Sequence, residues 1–363
     1  MNKYYMNKLV EELQKSDFSA ILISPGEELN FLMQFNPMMC ERFQGLFVKK
    51  DGTMFYICNL LYEEEFKAAL PEECKVYPWF DGDVMTEVVG NVLADYDLLG
   101  TTIAVNSTAQ AFNVLEIQDK VDVTFKNGKP LLERMRMIKN EQEMQYLRES
   151  SAIVDQVFLE VLKIIKPGMT EAEIGNFLMT RMTELGGSDA ECIVAVRENA
   201  GYPHYSDNKG VVKEHDLVLM DYGCTWHGLW SDMTRTVFVG EPTEREREIY
   251  ELVRRSQQEA EDMVCLGAYA PDIDKHARDV LDEKGYAWSL INRLGHGIGY
   301  SIHEAPDIKQ SNPMHLEIGM AFSIEPGIYL GGDIGVRIED IVMINEKGER
   351  EVLNKVTKEL IVL

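Results

Sequence analysis

Residues 217–239 read LVLMDYGCTWHGLWSDMTRTVFV. Two apolar, strand-like runs, Leu217–Tyr222 and Thr234–Val239, flank a turn-rich centre. Asp221 stands at the end of the first run and Asp232 just before the second, 11 positions later. That separation suits two adjacent strands whose ends bring both carboxylates to one place. Burying a carboxylate costs several kcal/mol unless it is paired or ligates a metal. A single acid in a strand is more often edge-exposed or salt-bridged, so the reading turns on its companions. Three follow downstream: His296 in LGHGIG, Glu325 in FSIEPGIY and Glu339 in VRIEDIV. The glycines around His296 let a backbone or a metal approach closely. Four carboxylates cannot share a buried pocket without strong repulsion, and two divalent cations would resolve it.

The rest of the chain bounds the setting. Its 363 residues exceed one average domain of roughly 100–200 residues, which predicts two domains. A composition of 45% hydrophobic and 27% charged residues is that of a globular protein, and excludes collagen-like, low-complexity and disordered classes. Acidic residues outnumber basic ones 61 to 36, for a net charge of −25. Such a chain repels phosphate backbones and anionic lipid, so no nucleic acid and no membrane surface is expected as partner. There is no run of 18 apolar residues to form a transmembrane helix. The start, MNKYYMNKLVEELQKSDF, carries charges where a signal peptide would be apolar. Cys40, Cys58, Cys74, Cys192, Cys224 and Cys265 form no CxxC pair. They read as reduced, mostly buried thiols of a cytoplasmic protein.

Along the first third, helical and strand-like patterns alternate. Tyr5–Gln14 reads as an amphipathic helix, and Ser19–Ser24, Thr102–Val105 and Val121–Phe125 as strands. Gly45–Lys49 and Thr53–Asn59 flank Asp51-Gly52, a strong hairpin signal. Ala109–Gln118 reads as helix. The turn-rich Lys126–Pro130 then breaks the pattern and precedes a long amphipathic stretch, Leu132–Ile165. Further helices are expected from Thr170, where Thr170 and Glu173 fit a capping box, and over Glu244–Val264 and Ile273–Lys284. Strands are expected at Cys192–Val196 and over most of the last 70 or so residues. No sequence repeat of fixed period is visible. The fold class is therefore α/β (α+β), with a small α/β domain over 1–130 and a second domain over 131–363.

The set Asp221, Asp232, His296, Glu325 and Glu339, at spacings of 11, 64, 29 and 14, resembles the ligand set of the pita-bread metallopeptidases. That family includes prolidase, aminopeptidase P, methionine aminopeptidase and creatinase. The strings DYGCTWHGLWSDMTRT, GHGIGYSIHEAPDI, GMAFSIEPGIYL and GVRIEDIV resemble its signature blocks. The likeness runs from about Leu132 to Leu363 and, more loosely, extends to an N-terminal domain of the creatinase type. It implies that Asp221 holds one metal, His296 and Glu325 the other, and that Asp232 and Glu339 bridge them. The implied cations are two divalent ions, Mn²⁺ first, with Co²⁺, Fe²⁺ or Zn²⁺ as alternatives. A hydroxide between the cations would be the nucleophile, and Glu325 would shuttle the proton to the leaving amine.

The resemblance also assigns His204 in GYPHYSDN and His303 in SIHEAP to the substrate carbonyl or oxyanion. It gives Arg337 a carboxylate to grip, from the substrate or from a metal ligand. The remaining histidines, His215, His227, His276 and His315, match nothing and are read as surface or structural. In PMMCERFQGLFV, Glu41 and Arg42 resemble a prolidase loop directed at a partner subunit's active site. Cys40 stands where relatives often have histidine, and an ordinary surface ion pair is the competing reading. Arg197-Glu198 stands where relatives more often have a small Ser-Gly pair and is expected to narrow the pocket that receives the substrate's N-terminal side. The function implied is hydrolysis of an Xaa-Pro bond in a small, proline-containing peptide by a homodimer, as a prolidase. The alternatives are an aminopeptidase P acting on longer peptides, a creatinase-like amidinohydrolase, or a non-catalytic binding module.

Overall fold

In the computed structural model, which describes residues 1–363, helix α1 (Lys3–Lys15) buries Tyr5, Met6, Leu9 and Leu13 on one face. This is the spacing of an amphipathic helix, and Asn2 caps it by accepting from Tyr5 N. Strands β1 (Ala20–Ile23), β2 (Gly45–Lys49), β3 (Met54–Asn59), β4 (Lys75–Trp79), β5 (Thr101–Val105) and β6 (Val123–Asn127) form one six-stranded sheet, ordered β4-β3-β2-β1-β5-β6. β2 and β3 are the expected hairpin, with Val48 opposite Met54, and Asp51 Oδ1 accepts from Thr53 N in the turn. The parallel pairs β1–β5, β5–β6 and β3–β4 need crossovers. Helices α2 (Glu27–Met33), α3 (Glu63–Ala69), α4 (Met85–Asp95) and α5 (Ala111–Lys120) lie in the connections. Phe47, Phe55, Ile57, Val89, Leu93 and Ile103 fill the core beneath the sheet.

The break at Lys126–Pro130 is narrower than the sequence suggests. β6 runs to Asn127 and α6 (Lys129–Met137) starts two residues later, with Pro130 in its first turn, where a missing N–H costs nothing. The chain divides into two compact units, Met1–Arg136 and Met137–Leu363. Within the long amphipathic stretch the helix also restarts. Asn140 and Glu143 form a capping box that opens α7 (Glu141–Val161), so α6 and α7 are separate helices.

The second unit is built twice over. In its first half α7 and α8 (Glu171–Glu184) pack on strands β7 (Ser188–Val196), β8 (Asp216–Trp226), β9 (Leu229–Trp230) and β10 (Met233–Val239), with the main order β10-β8-β7. Val157, Phe158, Ile174 and Leu178 meet Val194, Val218, Met220 and Val237 in its core. In its second half α9 (Glu244–Asp262) and α10 (Ala270–Asp282) precede β11 (Gly295–Gly297), β12 (Glu304–Ile308), β13 (Ala321–Ile324), β14 (Gly327–Leu330), β15 (Ile334–Arg337), β16 (Asp340–Ile344) and β17 (Arg350–Val352). The order is β12-β11-β13-β16-β17, with β14–β15 a separate hairpin. Ile249, Val253, Ile273 and Ala277 pack there on Phe322, Ile324 and Val342.

The correspondence reaches single hydrogen bonds. Gly168, ahead of α8, donates to Val212 O at 2.8 Å, and Gly267, ahead of α10, donates to Leu316 O at 2.8 Å. Isolated antiparallel bridges join Thr170 to Val211 and Tyr269 to His315 at matching places. The repeat is one of backbone geometry, which explains why no period shows in the sequence.

Candidate metal centre

β8 and β10 run antiparallel with Asp221 opposite Thr234, and Ser231-Asp232 lead straight into β10. In the second half His296 sits in the middle of the short strand β11, between two glycines packed hard on their neighbours. A Cβ on Gly295 would lie 1.8 Å from Ser323 O, and one on Gly297 would lie 2.2 Å from the Ala305 carbonyl. Only glycine permits that approach, so the LGHGIG string fixes the imidazole between β12 and β13. Glu325 follows β13, and Glu339 lies between β15 and β16, bridged to Thr234 of the first half.

All eight candidate residues line one cavity of about 450 Å³: His204, Asp221, Asp232, His296, His303, Glu325, Arg337 and Glu339. Ligand atoms of Asp232, His296 and Glu339 lie within 4.8 Å of one another, and all three residues are buried. His296 Nε2 is 3.6 Å from Asp232 Oδ2 and 3.3 Å from Glu325 Oε1. Its Nδ1 is 3.1 Å from Gly297 O. A carbonyl only accepts, so Nδ1 carries the proton and Nε2 keeps a lone pair directed at the acids.

The electrostatics are those of a site that needs positive charge. Burial, then Glu339, Asp221 and Glu325, pushes Asp232 well above the usual carboxylate range. Burial, then Glu325 and Asp221, does the same to Glu339. Burial raises Glu325 to about 7, and burial, then His303, lowers His296 to about 3. Glu339 Oε2 accepts from Thr234 Oγ1 at 2.7 Å, but Glu339 Oε1 is buried with no hydrogen-bond partner. An orphaned carboxylate oxygen among three other acids and a neutral imidazole fits divalent cations with mixed oxygen and nitrogen ligands.

Arg337 is committed to the centre itself. Its Nη2 donates to Asp221 Oδ2 at 2.6 Å, Nε to Thr234 Oγ1 at 2.9 Å and Nη1 to the Tyr329 hydroxyl at 2.9 Å. Of the two carboxylates the sequence offers it, the structure supplies the one on a candidate ligand. His204 and His303 are exposed, and the His303 ring stands edge-on to His296 with centroids 4.3 Å apart.

Asn292, Arg293, Lys309 and Tyr329 also line the cavity and were missed by sequence reasoning. Arg293 and Lys309 sit on loops, both against Asp307, where no periodicity marks them. Their only signal is positive charge close to the His296 motif. Arg197 corrects an expectation. Its backbone has φ +46° and its Nη1 donates to Glu246 Oε1 at 3.0 Å. Neither it nor Glu198 lines this cavity or the one adjoining it at His204 and His303, so the pair narrows neither. In the first unit Arg42 forks onto Asp81, Nε to Oδ1 at 2.9 Å and Nη2 to Oδ2 at 2.8 Å, and pairs with Glu41 at 2.6 Å.

Fold and cavity together define a two-unit α/β protein with a carboxylate-rich cluster able to hold metal in its second unit. Comparison with known proteins gives that class its family. Residues 145–346 match the model of metallopeptidase family M24, and residues 6–138 match the creatinase/prolidase N-terminal domain. A probable dipeptidase PepE of Mycobacterium tuberculosis is 34% identical over 95% of this chain and 92% of that protein. The crystal structure of a dipeptidase from Pyrococcus horikoshii is similar over 99% of this chain and 100% of that one, at 34% identity and a TM-score of 0.84. A prolidase from Thermococcus sibiricus is similar over 100% and 99%, at 32% identity and a TM-score of 0.86. The chain belongs to metallopeptidase family M24. It is a peptidase with a creatinase-type N-terminal domain and a pita-bread catalytic domain, which sets aside the non-catalytic reading. No helix is long and apolar enough to cross a membrane.

Proposed function

We propose that this peptidase is a dinuclear metal-dependent Xaa-Pro dipeptidase. The observation that carries the reading is the convergence of five ligand-type side chains in one cavity that is also lined by Arg293 and Lys309. Asp221 would hold one cation, His296 and Glu325 the other, with Asp232 and Glu339 shared between them. Bound divalent cations, Mn²⁺ in this reading, supply Lewis acidity that acidifies water and polarises a carbonyl oxygen.

The chain's own groups do the rest. Ser323 Oγ donates to Glu325 Oε1 at 3.1 Å and orients that carboxyl to hold the proton passing from water to the leaving amine. His204 and His303, exposed at the cavity, donate to the carbonyl oxygen of the scissile bond as charge grows on it. Arg337 positions Asp221. Arg293 and Lys309 take the free carboxylate of the substrate, which a dipeptide presents within the same cavity and a longer peptide carries away from it. Likeness to a protein named prolidase supports proline after the cleaved bond. A homodimer in the cytoplasm completes the reading, and light scattering tests the dimer.

The test is hydrolysis of Ala-Pro, Ala-Ala and Ala-Pro-Ala after chelation and reloading with Mn²⁺ or Co²⁺. Ala-Pro should be cleaved fastest, and only by reloaded protein. Activity indifferent to chelation overturns the metal mechanism. Preference for Ala-Pro-Ala makes the enzyme an aminopeptidase, and preference for Ala-Ala removes the proline specificity.

A further inference from the structure

A second cavity, of about 380 Å³, shares His204, Asp221, Asp232 and His303 with the metal cavity. The two differ in charge. Beyond the ligands, the metal cavity holds Arg293, Lys309 and Arg337. The second cavity holds no lysine or arginine, and its one acid outside the ligand set is Glu191. A peptide lying across the shared residues therefore meets positive charge on one side and negative charge on the other. Its carboxylate belongs with Arg293 and Lys309, which leaves the second cavity to its first residue.

The register of the sheet places Glu191. β7 is an edge strand, with Ile193 opposite Asp221 and Glu191 opposite Gly223 on β8. Glu191 is thus two residues along from the Asp221 row and on the same face as Ile193, roughly 6–7 Å away. Across the pair at Gly223 the backbone of Ser231 packs close, and no other residue fits there, because a Cβ would lie 2.1 Å from Ser231 O. A register shift between Ser188 and Glu191 is the kind of irregularity that re-aims a side chain beside a site. The result is an exposed carboxylate in a cavity that Ile193 and Ile302 also line.

We propose that Glu191 is a specificity-determining residue that selects dipeptides whose first residue is lysine or arginine. The proposal rests on the dipeptidase reading above. With the scissile bond over the metal ligands, the aliphatic stem of such a residue runs along Ile193 and Ile302 while its charged end meets Glu191. The same carboxylate repels glutamyl and aspartyl substrates, which supplies the repulsive half of the selectivity.

The experiment compares kcat/KM for Lys-Pro, Met-Pro and Glu-Pro in the wild type, Glu191→Gln and Glu191→Lys. The same proteins are titrated calorimetrically with L-lysine and with L-norleucine, which differ in the ammonium group. An exposed ion pair makes Lys-Pro about fivefold better than Met-Pro in the wild type, and lysine about fivefold tighter than norleucine. Both ratios should fall to near one in Glu191→Gln, and Glu191→Lys should put Glu-Pro ahead of Lys-Pro. Ratios that stay at their wild-type values in Glu191→Gln, or a loss shared equally by all three dipeptides, overturn the proposal. If no proline dipeptide is cleaved, the dipeptidase reading fails, and Lys-Ala against Met-Ala together with the two amino-acid titrations still decides the role of Glu191.

Discussion

The two halves of the catalytic unit share a scaffold and divide the chemistry unequally. Each begins with a pair of helices joined through a glycine turn, then lays down antiparallel strands. The first half contributes Asp221 and Asp232 with the exposed His204. The second contributes His296, Glu325 and Glu339 with His303 and Arg337. Neither half holds a complete candidate centre, so the contact between them is part of the site. Thr234 makes that contact: its Oγ1 donates to Glu339 and accepts from Arg337 Nε, and its carbonyl accepts from Glu339 N. A duplicated scaffold can thus build an asymmetric centre, provided one seam fixes the register of the halves.

The largest expected effect comes from removing one of the two proposed bridging carboxylates, one from each half. Asp232→Asn and Glu339→Gln should each lower kcat on the order of 10³-fold and reduce the bound metal, measured by turnover and metal content. Equal losses support a centre shared between the halves. A variant that keeps full metal and activity would show that its half is dispensable.

The seam itself is the next target. Arg235 is 1% exposed and pairs with Asp340, equally buried, at 2.6 Å. It also donates to the carbonyls of Thr234, Glu339 and Thr357. Arg235→Leu takes the closer of two cations from the buried Asp340, leaving it Lys358 at 3.2 Å, and should cost about 3 kcal/mol, a Tm drop of roughly 10 °C for a unit of this size. The double variant Arg235→Leu/Asp340→Leu should regain much of that loss, because the under-paired buried carboxylate is gone and Lys358 keeps Glu261. A single variant with unchanged Tm would mean that the halves are held elsewhere.

Each half also buries an acid on its first helix. Asp155 on α7 accepts from Lys355 N, and burial raises it above the usual range. Glu261 on α9 pairs with Lys358 at 2.6 Å, and burial, then Asp340, raises it from 4.5 to about 7. A carboxyl whose pKa is higher folded than unfolded favours the folded state most when protonated. Its contribution is therefore fully present below about pH 4.5 and is lost as pH rises through about 7. The loss approaches about 3 kcal/mol at ~1.4 kcal/mol per unit. Urea unfolding of wild type and Glu261→Gln from pH 4.5 to 7.5 should show a shallower decline in the variant. Parallel curves would place the pH dependence in other groups.

How much of this was legible follows from the physics of each signal. Acids inside apolar strands stand out because burying them is costly, and the glycines around His296 stand out because the backbone is crowded there, so the metal-type cluster reads directly from the chain. Loop residues carry no period, which hides Arg293 and Lys309. Arg197 misleads because it is bulky where relatives have a small residue, while its left-handed backbone carries the side chain to Glu246. Asn140 is hidden within an unbroken amphipathic pattern, although its capping box ends one helix and begins another. The seam at Arg235 depends on pairing between residues more than 100 positions apart, which no local pattern encodes.

The smallest expected effect separates the halves at a helix start. Thr170 and Glu173 form a reciprocal capping box on α8, whereas Tyr269, at the matching position before α10, makes no side-chain cap and a proline occupies the first turn. The backbone bridges on either side are equivalent, Thr170 to Val211 and Tyr269 to His315. If the box stabilises the first half beyond what the bridge gives, Thr170→Ala should cost about 1 kcal/mol with kcat unchanged, measured by chemical denaturation alongside turnover. No loss would mean that the bridge and the Gly168–Val212 bond hold the start of α8 unaided, as their counterparts hold α10. The capping box would then be a local addition to a scaffold whose halves are energetically alike.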